Sequence, residues 1–457
     1  MRIGDFIDKI LEQDATAQRI SDATLISFAK ANPLSTYYTL SFNPTTCQPE
    51  IKPITTFIRH NAPKTMYMVK TSCGREVLVT GDHNLWVLRN GRLCLVSTKE
   101  VLKTDYLPLP PSLPAMDKDL RYFNLLDFLA DENLFVEANE LVMRLVSLYG
   151  KKTILNILSK HLKAANTKLW YISQGRSGCR LRMKVFHSLL RDLSYRPTQV
   201  ELATIKIVAK SPKHSLPALL PVSCDLLKLL GYYIAEGCSP DRCRYFVITA
   251  FDRRLRIDLE DILEKLGVTY SVRPNSDFQI SSTPLAIFLR KLVGHNARGK
   301  RLPQFWTRLS QGQLGLLLRA YFEGDGGIER GQVLAATASR ELASNLSYAL
   351  LRFGIWARIR KVWKKTTETQ HQGNWYWMVS ISSQQNLRLF AENVGFLFSR
   401  KMLALEQELS RIPDSNVDLI FGSGVGVNKI RQSMGMTQRQ LAIPVSYTHL
   451  RAHETVL

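Results

Sequence analysis

Hydrophobic positions along the chain fall into distinct regimes. An amphipathic opening, MRIGDFIDKILEQD, is followed before residue 112 by short runs such as TMYMVKTS, REVLVTG, NLWVLRN and RLCLVST. These runs are rich in Val, Leu, Tyr and Thr and are punctuated by Gly or Asn, which predicts one helix and then short strands. LPLPPSLP, at 107–114, closes that region as a proline-rich boundary. Between 113 and 215, stretches such as ELVMRLVSLYG and KTILNILSKHLKAA predict a basic, mainly helical insert. From 216 to 410 helical and strand patterns alternate, and 411–457 forms a separate, irregular tail. The expected architecture is α+β and multidomain.

Within 216–410 the chain resembles itself, with repeats at about 222–303 and 310–410. LLGYYIAEGC aligns with LLRAYFEGDGG so that Glu236 matches Asp325, Gly231 matches Ala320 and Ala235 matches Gly324. Small residues one turn apart let helices approach closely. The glycines that follow, Gly237 and Gly326, suit a left-handed helix terminus. The match continues through DILEKLGVTYSVR and YALLRFGIWARIR, then Ile280-Ser281-Ser282 and Ile381-Ser382-Ser383, then Lys300 and Lys401. An insertion near KKTTETQHQGN lengthens the second copy.

Paired motif helices would set Glu236 beside Asp325. Two such carboxylates repel unless a divalent cation lies between them, and an oxygen-only ligand set favours Mg²⁺. Lys300 and Lys401 read equally well as solvated surface lysines or as groups that contact phosphate or activate water. Basic strand residues, Arg273, Arg358, Arg360 and Lys361, suit a saddle laid on a phosphate backbone. Trp356, Trp363, Trp375 and Trp377 are expected to pack beneath it or to stack.

Charge agrees with this chemistry. Lys+Arg 61 against Asp+Glu 39 gives +22, which favours a polyanionic partner, nucleic acid above all. No apolar run approaches the ~20 residues a membrane span needs, and the opening segment is not a signal peptide. The seven cysteines, at 47, 73, 94, 179, 224, 238 and 243, contain no CxxC pair. That spacing argues against a disulfide framework or zinc site and fits a reducing cytoplasm.

GYYIAEG and AYFEGDG resemble the two dodecapeptide motifs of LAGLIDADG homing endonucleases, and KRLPQFW and AENVGFLFSRKMLAL resemble the blocks that follow each repeat. The resemblance covers about 222–410. It implies Mg²⁺-dependent double-strand cleavage of a long asymmetric DNA site by a monomer with internal pseudo-symmetry. By it, Glu236 and Asp325 are the metal-binding catalytic acids and Lys300 and Lys401 the auxiliary lysines. Glu stands in the first motif where Asp is commoner, which still supplies a carboxylate. Independently, REVLVTGDHNLWVL resembles the Thr-x-x-His block of the Hedgehog/intein (Hint) splicing fold, with Thr80 and His83 as the signature, so 1–112 reads as part of an intein.

The chain opens Met-Arg-Ile-Gly-Asp and ends SYTHLRAHETVL, without the terminal nucleophile or His-Asn that splicing needs. Both splice junctions, and the host exteins, are therefore expected outside it. IRQSMGMTQRQLA, with Thr437 and Gln440 spaced as a capping box, reads as the start of a helix-turn-helix or as an ordinary helical turn. Two other functions stay open: an intein whose main activity is splicing, and a non-cleaving, maturase-like binder of DNA or RNA.

Overall fold

The alternating runs near the N-terminus fold as antiparallel hairpins in the computed structural model, which describes residues 3–411 except 14–17, 21–22, 28–36, 115–117, 175–179, 211–213 and 365–372, and beyond 411 only residues 433 and 435. Thr437, Gln440 and Cys179 lie outside the described residues. The chain divides after Pro111, and the second unit spans Ser112–Pro413.

In the first unit the helix Ile3–Gln13 packs on a sheet of Gln18–Ile20, Ala23–Ser27 and Thr56–His60. Phe6, Tyr37 and Phe57 meet edge to face there. Three hairpins accompany it: Tyr38–Asn43 with Gln48–Pro53, Met66–Lys70 with Glu76–Thr80, and Asn84–Arg89 with Arg92–Ser97.

In the second unit two stretches share one order of elements. The first contains helix α1 (Cys224–Glu236), strands β1 (Gly237–Cys238) and β2 (Phe246–Thr249), α2 (Arg253–Lys265), β3 (Tyr270–Val272), β4 (Asp277–Ile280) and α3 (Thr283–Val293). The second contains α4 (Gln311–Asp325), β5 (Gly326–Glu329), β6 (Gln332–Thr337), α5 (Arg340–Leu351), β7 (Ala357–Lys364), β8 (Asn374–Ile381) and α6 (Gln384–Asn393), with α7 (Ser399–Leu409) after it. The sheets have matching strand order, β1-β2-β4-β3 and β5-β6-β8-β7, all antiparallel. The matched Ser-Ser pairs end in helix caps: Ser282 Oγ accepts from Leu285 N at 3.3 Å and Ser383 Oγ from Asn386 N at 3.4 Å.

Residues 113–215, expected to be mainly helical, also contain strands. Besides helices they form a four-stranded sheet of Leu181–Arg182, Phe135–Glu137, Lys206–Val208 and Ser215–Pro217. Strands of two or three residues carry too few alternations to show in sequence. This segment shares one continuous apolar core with the two stretches: Leu145, Ile154 and Phe186 belong to the same cluster as Leu230, Phe246, Leu318 and Phe390.

Candidate active site and nucleic-acid face

Both motif helices begin at a serine cap. Ser223 Oγ accepts from Leu226 N at 3.1 Å, and Ser310 Oγ accepts from Gln313 N at 3.2 Å while Gln313 returns a bond to Ser310 N. The two helices then pack along their length through the small residues singled out in the sequence. A Cβ placed on Gly231 would lie 2.5 Å from Ala320 Cβ, and one on Gly324 would lie 2.6 Å from Ala235 Cβ. Backbone thus meets backbone at two levels, a methyl from one helix opposite a glycine on the other each time.

The glycines after the acids act differently from expectation. Gly237 (φ −93°, ψ 153°) and Gly326 (φ −84°, ψ 152°) are extended, not left-handed. They are glycine for lack of space: a Cβ at 237 would lie 2.6 Å from Tyr233 O, and one at 326 would lie 2.8 Å from Phe322 Cδ1. Each helix therefore turns straight into a strand, leaving its final acid at the junction.

Glu236 and Asp325 consequently end up adjacent, the Glu236 Cγ 3.4 Å from the position a Cβ on Gly324 would take. Glu236 opens to solvent by its accessible surface and Asp325 is half-buried, yet protein crowds both carboxyls from the helix side. That crowding raises the Glu236 carboxyl above its ordinary range, with Lys401 and Lys300 pulling it back. Crowding and the Glu236 charge together push Asp325 up to about 8, against Lys300, Lys401 and Lys364. Among the described residues neither carboxylate makes a hydrogen bond or ion pair. The Tyr321 hydroxyl is buried and faces Asp325, but the two fall short of regular hydrogen-bond geometry, and the phenol has no other partner.

Lys300 and Lys401 occupy matching places at the two helix ends. The Lys300 ammonium donates to Tyr233 O and sits 3.6 Å from the Tyr233 ring centroid. Lys401 donates to the corresponding Phe322 O at 3.4 Å, to Gly326 O at 2.8 Å and to Glu323 O. A cation capping the carbonyl end of a helix is favoured by the helix dipole. Burial pulls the Lys300 ammonium down to about 7, opposed by Cys238, Asp325 and Glu236, and lowers Lys401 for the same reason. The reading of these lysines as solvated surface residues is thereby replaced for Lys300, which is 3% exposed.

Glu323 was missed in the sequence although it lies inside the motif. Two residues before Asp325, it points to another side of the helix, where it accepts Leu397 N at 2.8 Å and Phe398 N at 3.2 Å and lies 3.9 Å from Lys401. It fastens the closing block, and hence Lys401, to the second helix. Only knowledge of which loop returns to that helix could have identified it.

The strand register divides the four basic strand residues. Arg358 and Arg360 are exposed and alternate with buried Ala357 and Ile359, so they share the sheet face away from the helices. Arg273 lies on the same open face of the first sheet, donating to Gln279. Lys361 has the other parity: it pairs with Trp377 across the ladder and stands 5.1 Å from the Trp375 ring centroid. The tryptophans do not all pack beneath the sheet. Trp377 joins the core, while Trp363 and Trp375 meet edge to face at 5.3 Å and are 47% and 53% exposed.

In the first unit, Thr80 and His83 share a turn in which His83 N donates to Thr80 O at 3.2 Å, and Thr98 Oγ1 holds His83 O at 2.7 Å. The described cysteines are free thiols. No described helix is long and apolar enough to cross a membrane.

The clustered ionisable groups yield a pH prediction for protein in chelator. Asp325 rises from 3.8 to about 8 on folding, so the folded chain keeps a proton that the unfolded chain releases, and stability falls as pH rises between those values. Lys300, dropping from 10.5 to about 7, adds stability as pH rises between its two values. Thermal unfolding should show a minimum near pH 7–8, and Asp325→Asn should flatten its acid side. Identical pH profiles for the two proteins would refute the crowding described here.

Residues 312–395 match the model of the LAGLIDADG-like domain. The chain is 31% identical over 254 residues to the replication factor C small subunit of Methanocaldococcus jannaschii, covering 53% of this chain and 13% of that protein. It is 24% identical over 408 residues to a DNA polymerase of Thermococcus aggregans, covering 78% of this chain and 22% of that one. The chain thus spans less than a quarter of these relatives. Among solved structures, I-DmoI in complex with DNA and Mn is similar at 14% identity, with 39% of this chain and 99% of that chain covered and a TM-score of 0.29.

Proposed function

We propose that this protein is a site-specific, metal-dependent DNA endonuclease of the homing type, acting as a monomer whose two halves are related by a pseudo-two-fold axis. The observation that carries the reading is the pair of close-packed helices that end, side by side, in Glu236 and Asp325. One acid from each of two like-ordered halves suits a duplex whose strands are themselves related by local two-fold symmetry. The domain match at 312–395 includes the second of these acids.

A divalent cation fits the residues present. Two neighbouring carboxylates lack any partner among the described side chains, and burial together with the Glu236 charge raises the proton affinity of Asp325. Among the described residues no group of three or more metal-binding side chains occurs, so Glu236 and Asp325 would hold the ion and leave positions for phosphate and water oxygens. Mg²⁺, when bound, supplies Lewis-acid charge and an acidified water. Lys300 and Lys401, anchored on helix-end carbonyls, bring positive charge toward the same place and favour the charge that develops on phosphate. The open sheet faces would take the flanking duplex, with Arg273, Arg358 and Arg360 on phosphates.

A portable origin has its own support. One segment resembles parts of a replication factor C small subunit and of a DNA polymerase, two differently named proteins, as expected of an element inserted into hosts. The Thr80–His83 turn supports reading the first unit as part of an intein splicing domain, with exteins supplied by the host.

Incubating the protein and Mg²⁺ with a randomised duplex library tests the main reading: recurrent double-strand breaks at one extended sequence are expected. Binding without breaks would leave a DNA-binding relic. Arg358→Ala/Arg360→Ala should weaken duplex binding and reduce the salt slope, log Kd against log[salt], by about 2. An unchanged slope would remove the second sheet from the DNA face.

A further inference from the structure

Charge along this chain is very unevenly spread. Between residues 144 and 213 fifteen lysines and arginines stand against two acids, a surplus of +13 out of the chain's +22. Both acids are already engaged inside that segment. Glu201 pairs with Arg144 at 3.1 Å and accepts the Tyr195 hydroxyl at 2.7 Å, and Asp192 pairs with Lys160 at 3.4 Å. The segment contains no other carboxylate side chain. Lys151, Lys152, Lys163 and Lys184 are all exposed. So dense a positive charge destabilises a fold by self-repulsion, and a polyanion relieves it.

The two sheets differ in a way that gives this charge a place. The open face of the second carries Arg358, Arg360 and Lys364 on a strand of eight residues. In the first sheet the edge strand has three residues, and its open face offers Arg273 beside Asp277. The basic segment is joined to this poorer half. His214 bonds Ser282 Oγ at 2.8 Å and Leu266 O at 3.3 Å, groups that flank the edge strand and its neighbour in sequence. Lys206–Val208 and Ser215–Pro217 pack on α3, and Phe128 meets Phe288 edge to face at 6.0 Å. A continuous core makes the attachment firm.

We infer that the described residues of 144–213, with Lys151, Lys152, Lys163 and Lys184 exposed, form a second duplex-binding surface, which holds the phosphate backbone beyond the DNA carried by the first sheet. This rests on the nuclease reading above. The contacts are to phosphates and so lengthen and tighten the footprint without reading bases.

The test uses the full chain, in chelator, with a labelled random-sequence duplex of about 40 base pairs, long enough to reach past the sheets. Lys151→Gln/Lys152→Gln/Lys163→Gln/Lys184→Gln replaces each ammonium with a neutral polar amide and removes four charges. It should weaken binding about tenfold to a hundredfold near physiological salt and reduce the salt slope by roughly 3 to 4. The same four positions changed to Arg should bind as the parent does, and melting curves should coincide for all three. A Gln variant with unchanged slope, alongside an Arg358→Ala/Arg360→Ala variant whose slope falls, would overturn this inference and leave the nuclease reading intact. If neither set changes the slope, this inference fails and the second sheet leaves the DNA face as well, while cleavage of the duplex library tests the nuclease reading separately.

Discussion

Glu236→Gln and Asp325→Asn should each abolish double-strand cleavage while leaving duplex affinity nearly unchanged. Both substitutions keep size and shape and remove one of two charges that would bind the cation. Losing either leaves a single carboxylate, too little to hold a divalent ion against water in an oxygen-only site. The expected loss is at least about a thousandfold in rate, roughly 4 kcal/mol of barrier. Binding should survive because the arginines proposed to meet phosphates lie on the strands, away from the helix ends. A third readout separates this account from simple damage. Without metal the two acids repel, so Asp325→Asn should melt higher than the parent in chelator near pH 8, where the parent carries the uncompensated charge. Cleavage within tenfold of the parent in both variants would sink the assignment. Equal loss of cleavage and binding, with lowered melting, would instead trace the effect to the fold.

How much of this was legible in the sequence depended on how local each cause is. The motif helices, their small residues and their final acids could be read because each signal recurs, at one fixed offset for Gly231 and Ala235 and again for the acids. The caps at Ser282 and Ser383 are equally local. Gly237 and Gly326 were seen but explained wrongly, because a crowded Tyr233 or Phe322 looks in sequence like any helix stop. Lys361 was grouped with Arg358 and Arg360 on charge alone, whereas alternation along a strand sends an odd and an even position to opposite faces. Glu323 and the pairing of His214 with Ser282 depend on chain segments dozens of residues apart. No window of sequence contains both partners, so these contacts had no sequence signal to read.

Gly231→Leu carries the largest expected cost in stability, and Gly231→Ala tests the same contact more finely. In an ordinary helix interior, Gly to Ala gains up to about 1 kcal/mol from propensity. Here the added Cβ alone would lie 2.5 Å from Ala320 Cβ, 2.7 Å from Leu317 O and 2.9 Å from Tyr321 N. Two of these are backbone atoms of a helix packed along its whole length, so relief requires the helices to separate. Overpacking of this kind costs about 1–3 kcal/mol, enough to reverse the propensity gain for Ala. Leu adds three more carbons at the same point and should cost several kcal/mol, lowering Tm by about 5–10 °C in a unit of this size. The wedge sits just over one turn before Glu236, so separation there also parts the two acids. Cleavage should therefore fall in Gly231→Ala more steeply than duplex binding, with Gly324→Ala behaving alike because its Cβ would meet Ala235 at 2.6 Å. If Gly231→Ala instead melts at or above the parent, the propensity term has won, and the helices do not approach closely enough to hold one ion between their ends.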